Sequence, residues 1–212
     1  MPILRRREKS FVHKIILRIK LSLAGTKSWA AALIQRWSGK LRRRAVISRM
    51  RKADIVLASP RTTRLSPIAL VYRLFLGSRY VHSMLYIGGG KIIHTTTRHG
   101  VVVGKVPRKI YKKDRYAIMR VKNLDAEIRD HIVKEALTRK ELKLDYAGMI
   151  SNVPRRLLGW RTALLRREKN RTWCSQLIYR AFRDAGIELL PGRESESITS
   201  EDLAHSPVVK KI

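Results

Sequence analysis

The chain has 212 residues, enough for one domain with a full core plus an appendage and too few for two large domains. Hydrophobic residues make up 44%, which excludes wholesale disorder, and the single cysteine excludes an intramolecular disulfide. Lys and Arg number 47 against 16 Asp and Glu, a formal charge of +31, so a polyanion is the expected partner: nucleic acid, an anionic membrane or the polymers of a cell envelope.

The N-terminus, MPILRRREKS, has the charge of a signal-peptide start, but the apolar stretch Phe11 to Leu23 is interrupted by Lys14, Arg18 and Lys20 and makes a poor export signal. No apolar run of the ~18 residues needed to span a bilayer is present, so the expected location is cytoplasmic or peripheral to a membrane or envelope. Phe11, Ile15 and Ile19, then Trp29, Leu33 and Trp37, recur every four residues with basic residues between them. That spacing predicts one or two basic amphipathic helices broken near Gly25, which either meet a membrane or pack on the domain and solvate their basic face. The expected division is an N-terminal extension, residues 1–48, and a domain over residues 49–212. Charge follows it in part. Residues 1–52 hold 16 Lys/Arg and one acid, and residues 153–171 hold seven and one, so 21 of the 31 net charges fall in two segments, which are the expected polyanion contacts.

From residue 49 the texture changes. Ala53 to Ala58 reads as a short strand, Ile68 to Leu76 as a helix closed by Gly77, and Val81 to Ile87, the glycines 88–90 and Lys91 to Thr96 as strand, turn, strand. Val101 to Val103 and Tyr116 to Val121 are further strands. Asp125 to Leu142 is helical with Ile128, Ile132 and Ala136 on one face, Ser151 to Arg171 is irregular and basic, and a last helix covers Trp173 to Ala185 and stops at Gly186. Strands followed by helices indicate an α+β fold with an antiparallel sheet.

Cys174 stands three and four residues before Leu177 and Ile178, on the apolar face of that last helix and in its first turn. Unpaired amides and the helix dipole favour thiolate there, whereas an inert structural cysteine has no need of the position. A base is the next requirement. His82 and His94 lie in strands either side of the glycine turn; with a three-residue loop at Gly88 to Gly90, Met84 opposes His94 and both imidazoles leave one face of the sheet, whereas a two-residue or four-residue loop puts them on opposite faces. One then serves as base and the other orients it. Tyr146, and Trp173 beside the cysteine, are candidates for holding substrate or an oxyanion. Asp54 and Asp145 read as local caps or ion pairs, and His13, His99, His131 and His205 as solvated surface groups. The glycine triplet leads into a strand and so is not a phosphate loop, and there is no cofactor or metal motif.

The run Ala53-Asp54-Ile55-Val56-Leu57, the run His82-Ser83-Met84-Leu85-Tyr86-Ile87-Gly88-Gly89-Gly90-Lys91-Ile92-Ile93-His94 and the run Cys174-Ser175-Gln176-Leu177-Ile178-Tyr179, with a closing Ile198 to Leu203 segment, resemble the permuted NlpC-type, papain-like hydrolases of the YiiX/YebB kind, which are related to the lecithin retinol acyltransferase group. The resemblance spans roughly residues 49 to 206. It implies a circularly permuted papain-like fold, an antiparallel sheet packed on helices, with Cys174 as nucleophile at a helix N-terminus, His82 as base and His94 as third polar residue. Ala53 stands where the family usually has Gly, and Leu144 where it often has Tyr.

The expected function is therefore a cysteine peptidase or amidase acting through an acyl-enzyme on a peptide or acyl substrate, with peptidoglycan peptides first by resemblance. An acyl-lipid thioesterase or acyltransferase at a membrane surface is the alternative. From another class, a basic polyanion-binding module with a degenerate papain-like core also fits the charge.

Overall fold

The computed structural model describes residues 32, 34–60, 73–74, 77–151 and 170–212. The helices expected before residue 32, nearly all of the helix expected over Ile68 to Leu76 and the greater part of the basic span Ser151 to Arg171 lie outside the described residues. The chain divides into two compact units, Met1–Ala45 and Val46–Ile212. In the first, residues 34–45 are helical. Among the described residues no helix is long and apolar enough to cross a membrane.

The second unit is a mixed α+β fold. Its strands β1 (Ile55–Ala58), β2 (His82–Gly88), β3 (Lys91–Thr96), β4 (Gly100–Lys105), β5 (Tyr116–Val121) and β8 (Val209–Lys211) form one antiparallel sheet in the order β4-β3-β2-β1-β5-β8. Helices α1 (Ala126–Leu137), α2 (Cys174–Asp184) and α3 (Ser200–Ala204) complete it, with a short parallel pair, β6 (Lys143–Leu144) and β7 (Arg171–Thr172). The sheet is apolar on both faces, which is why β1 and β2 read as unbroken apolar runs rather than as alternation. Ile55, Leu57, Leu85 and Ile93 join Ile132 and Ala136 of α1 and Leu177, Ile178, Ala181 and Phe182 of α2 in the main core. Val56, Met84, Tyr86, Ile92 and Ile118 turn the other way, onto Met50, Val106 and Ile110.

The β2–β3 hairpin corrects the expected turn while keeping its outcome. Gly88 pairs with Lys91, so the turn is the two residues Gly89 and Gly90, at φ 58° and 70°, as a type I′ turn requires. The pairs beyond it are Tyr86↔Ile92 and Leu85↔Ile93, with an irregularity between Tyr86 and Gly88 where Ile87 has no partner. The bulge supplies the residue that the shorter turn lacks. Five residues separate Tyr86 from its partner Ile92 under either partition, and this odd number sets the side from which the strands' side chains leave.

Asp54 forms a buried pair across the sheet: Arg120 donates from Nε to Oδ1 at 2.8 Å and from NH2 to Oδ2 at 2.7 Å, and the Arg51 amide donates to Oδ2 at 2.7 Å. Ahead of it Ala53 sits at φ 66°, the left-handed region where a glycine is at ease and a side chain is strained. Asp125 caps α1 by accepting from the Ile128 amide at 2.8 Å, and α2 ends before Gly186 at φ 82°.

Candidate active site

The site begins where the sheet divides. β2 stays paired with β1 as far as Ala58↔His82, and β3 stays paired with β4 as far as Thr96↔Gly100, but β2 and β3 pair with each other only as far as Leu85↔Ile93. Beyond that point the two strands part, leaving His82 and Ser83 on one side of a wedge and His94 and Thr95 on the other. His82 and His94 have matching parity and meet across the gap: His82 Nε2 lies 3.1 Å from His94 Nδ1, with ring centroids 5.3 Å apart and planes at 74°. Gly104 of β4 flanks the second ring, where an added Cβ would lie 3.6 Å from His94 Nε2.

Cys174 is brought to this wedge by the chain before it. Gly100, at φ 63°, starts β4 so close to Leu142 that an added Cβ would lie 2.2 Å from the Leu142 carbonyl oxygen, and the Val101 amide donates to that oxygen at 2.9 Å. β6 follows directly and pairs with β7 through Lys143↔Arg171 and Leu144↔Thr172, and the Asp145 amide donates to the Thr172 carbonyl at 3.0 Å. β7 leads into α2, whose first residue is Cys174. Its N-cap, Trp173, makes no side-chain cap hydrogen bond, so the cap residue itself does not satisfy the amides at this end of the helix.

The thiol is buried, and desolvation alone would push its pKa up. The hydrogen bond and positive charge of His82, then the Ser83 amide and hydroxyl, outweigh burial and bring it from 9.0 down to about 6. Ser83 takes this part because β2 has lost its β3 partner there, so its amide turns to the sulfur rather than to a neighbouring strand. Its hydroxyl is fully buried, lies close enough to favour the thiolate, and has no formed hydrogen bond of its own. Desolvation, then the proximity of His82, lowers His94 to about 4, against a smaller opposing effect of the Thr95 backbone. His94 is therefore neutral through the physiological range. The contact with His94 Nδ1 occupies His82 Nε2, which leaves His82 Nδ1 as the nitrogen available to the sulfur.

The closing segment completes the surround. Ser200, the first residue of α3, places its Oγ 3.9 Å from Cys174 Sγ, and Thr199 and Asp202 form a capping box that fixes this turn. The Ile198 carbonyl accepts from Trp173 Nε1 at 3.1 Å and from Ser175 Oγ at 2.7 Å, so both chain neighbours of Cys174 are tied to the segment. Glu201 reaches the other way, accepting at 2.8 Å from the Tyr80 amide, two residues before His82.

The two substrate or oxyanion candidates each have a hydrogen bond in place. The Trp173 indole is buried with its N–H donated to the Ile198 carbonyl, and a Cβ at Gly148 would meet Asp145 Oδ2 at 2.5 Å and the indole ring at 2.6 Å. Tyr146 is partly exposed and donates its hydroxyl to the Thr97 carbonyl at 3.2 Å, beyond the end of β3. Asp145 caps the helical turn 146–151 through the Gly148 amide at 2.7 Å, and His99, His131 and His205 are exposed. His13 lies outside the described residues. Sequence reasoning missed Ser83 and Ser200. Parity puts Ser83 on the opposite side of β2 from His82, and only the parting of the strands brings both to one sulfur.

The fold is similar to that of a solved structure of the metalloprotein yiiX from Escherichia coli O157:H7, with a TM-score of 0.54 and 13% sequence identity, covering 76% of this chain and 96% of that one. At that identity the likeness speaks to the fold alone. No protein-family profile matches the sequence, and no curated protein matches it either. Among the described residues no group of three or more His, Cys, Asp or Glu side chains is placed to hold a metal ion.

Proposed function

We propose that residues 49–212 form a circularly permuted papain-like hydrolase of NlpC type, in which histidine precedes cysteine along the chain, with residues 1–48 as an extension. The observation that carries this reading is a buried thiol lowered to about 6 against His82, which is itself in contact with a neutral His94. A thiol favoured as thiolate beside paired histidines supports this reading over an inert cysteine or a degenerate core.

In this reading the Cys174 thiolate adds to the carbonyl carbon of an amide. The oxygen takes the negative charge and is met by first-turn amides of α2. His82 gives its proton to the leaving nitrogen as the C–N bond breaks, leaving a thioester on Cys174 and a free amine. His82 then removes a proton from water, which attacks the thioester; the C–S bond breaks and the thiolate and imidazolium return. His94 accepts the Nε2 hydrogen throughout and holds the imidazole edge toward the sulfur. Tyr146, tied to the Thr97 carbonyl beyond the end of β3, is a candidate for positioning substrate.

Peptidoglycan peptides are the substrate class that the family resemblance favours. Acyl-lipid or thioester substrates are the second reading, favoured by the exposed apolar side chains of Ile34, Trp37 and Leu41 on a basic helix. Purified peptidoglycan and thioester-bearing vesicles, each incubated with wild type and Cys174→Ala, separate the two. Product from one substrate that is lost in Cys174→Ala identifies it; equal results with both proteins on both substrates sink the hydrolase reading.

A further inference from the structure

Residues 34–45 form a helix that is exposed along almost its whole length. Ile34, Trp37 and Leu41 are 70%, 61% and 59% exposed, and their spacing of three and four places them on one helical face. Large apolar side chains this open, lined up rather than scattered, mark a surface built to meet something apolar. Around the stripe stand Arg36, Lys40, Arg42 and Arg44, and no acidic residue occurs between Glu8 and Asp54. Lys40 Nζ lies 5.5 Å from the Trp37 ring centroid, so the aromatic at the middle of the stripe already carries a cation on its flank.

A second basic segment shows what the stripe adds. Between β4 and β5, residues 105–115 hold Lys105, Arg108, Lys109, Lys112, Lys113 and Arg115 against the single acid Asp114, but the apolar residues there, Val106 and Ile110, are buried in the domain. That segment offers charge alone, which any polyanion satisfies. The helix offers charge and apolar surface on the same few turns, and a nucleic acid or soluble polyphosphate would leave Ile34, Trp37 and Leu41 in water.

We infer that residues 34–45 dock on the surface of an anionic lipid bilayer, with Ile34, Trp37 and Leu41 entering the boundary between headgroups and acyl chains and Arg36, Lys40, Arg42 and Arg44 lying among the headgroups. The helix lies along the membrane rather than across it. The Trp ring, apolar in body and polar at its N–H, suits that depth. The inference is independent of the chemistry at Cys174, and Cys174→Ala binds vesicles as wild type does.

The test uses the full chain and sedimentation with vesicles of phosphatidylcholine, with or without phosphatidylglycerol. Wild type binds the phosphatidylglycerol vesicles, more weakly at high salt, and the neutral ones poorly. Replacing Ile34, Trp37 and Leu41 together by Ser lowers binding by about a hundredfold while the alkylation rate of Cys174 stays at the wild-type value, which shows the second unit intact. Changing Arg36, Lys40 and Arg44 to Gln removes the preference for phosphatidylglycerol and the salt dependence. Failure of wild type to bind, or unchanged binding by the triple Ser variant, overturns the inference. So does competition by soluble polyphosphate that is as strong against the triple Ser variant as against wild type, which would assign the helix to a polyanion instead.

Discussion

His94 presents its Nδ1 to His82 Nε2 at 3.1 Å although the β2–β3 ladder has already ended one residue pair earlier, at Leu85↔Ile93. The contact is made by the rings and not by the strands that carry them.

The first expectation concerns the thiol itself. With Cys174 at about 6, alkylation by iodoacetamide rises with pH to a midpoint near that value, and at neutral pH about nine-tenths of the thiol is ionised. His82→Ala removes the largest opposition to burial, so the midpoint moves above that of an ordinary cysteine, about 8.5, and the rate at neutral pH falls more than about tenfold. A midpoint that stays in place would show that His82 does not set it.

Ser83→Ala removes one of two smaller donors and leaves the Ser83 amide. The alkylation midpoint rises by about half a unit to one unit, well short of the His82→Ala change. No shift would assign the whole effect to the backbone.

His94 is lowered to about 4, while an unfolded chain holds its histidines near 6.5. Between those values the unfolded state binds a proton that the native state does not, so native stability falls as pH drops from about 6.5 toward 4. His94→Asn keeps an acceptor for His82 and flattens that part of a denaturation-against-pH curve. It retains more hydrolysis than His94→Ala, for which a loss of about a hundredfold or more in kcat is expected. Equal hydrolysis by the two variants would remove the acceptor role.

Arg120→Met leaves the Asp54 carboxylate, 1% exposed, with the Arg51 amide but without its guanidinium partner. Urea unfolding should show a loss of about 3 to 5 kcal/mol. Asp54 lies at the opposite end of β1 from Ala58, the partner of His82, so the alkylation midpoint of the folded variant is unchanged.

Gly100→Ala forces a Cβ to within 2.2 Å of the Leu142 carbonyl oxygen at a positive φ. The strand start must shift, and with it the link through β6 and β7 to Cys174. Loss of stability of about 2 kcal/mol or more, together with slowed alkylation, is expected. Stability lost with alkylation intact would detach β4 from the placement of Cys174.

Where the sequence was legible, local rules carried it. Lys91 to Thr96 and Tyr116 to Val121 have the expected bounds, and α2 starts one residue later than expected and stops before its glycine because its apolar face and terminator are written in adjacent residues. The hairpin was legible in parity but not in detail, since a three-residue loop and a two-residue turn with a bulged Ile87 are indistinguishable by counting. Long-range ties were not legible. Nothing near Asp54 announces Arg120, 66 positions away, and nothing near Cys174 announces that the Ile198 carbonyl will hold both of its neighbours. β8 is three residues long with two exposed lysines and has no pattern of its own; it exists because β5 offers an open edge. Ala53 carries the opposite lesson: the resemblance led one to expect glycine there, and the residue does occupy a backbone conformation suited to glycine.

The divided sheet makes two leaves of one surface, one of β2 carried by β1 and the other of β3 carried by β4, joined at Leu85 and Ile93 like the pages of a book at its spine. Each leaf bears one histidine. The gap between the rings is therefore set by how far the two leaves are turned from one another beyond Leu85 and Ile93.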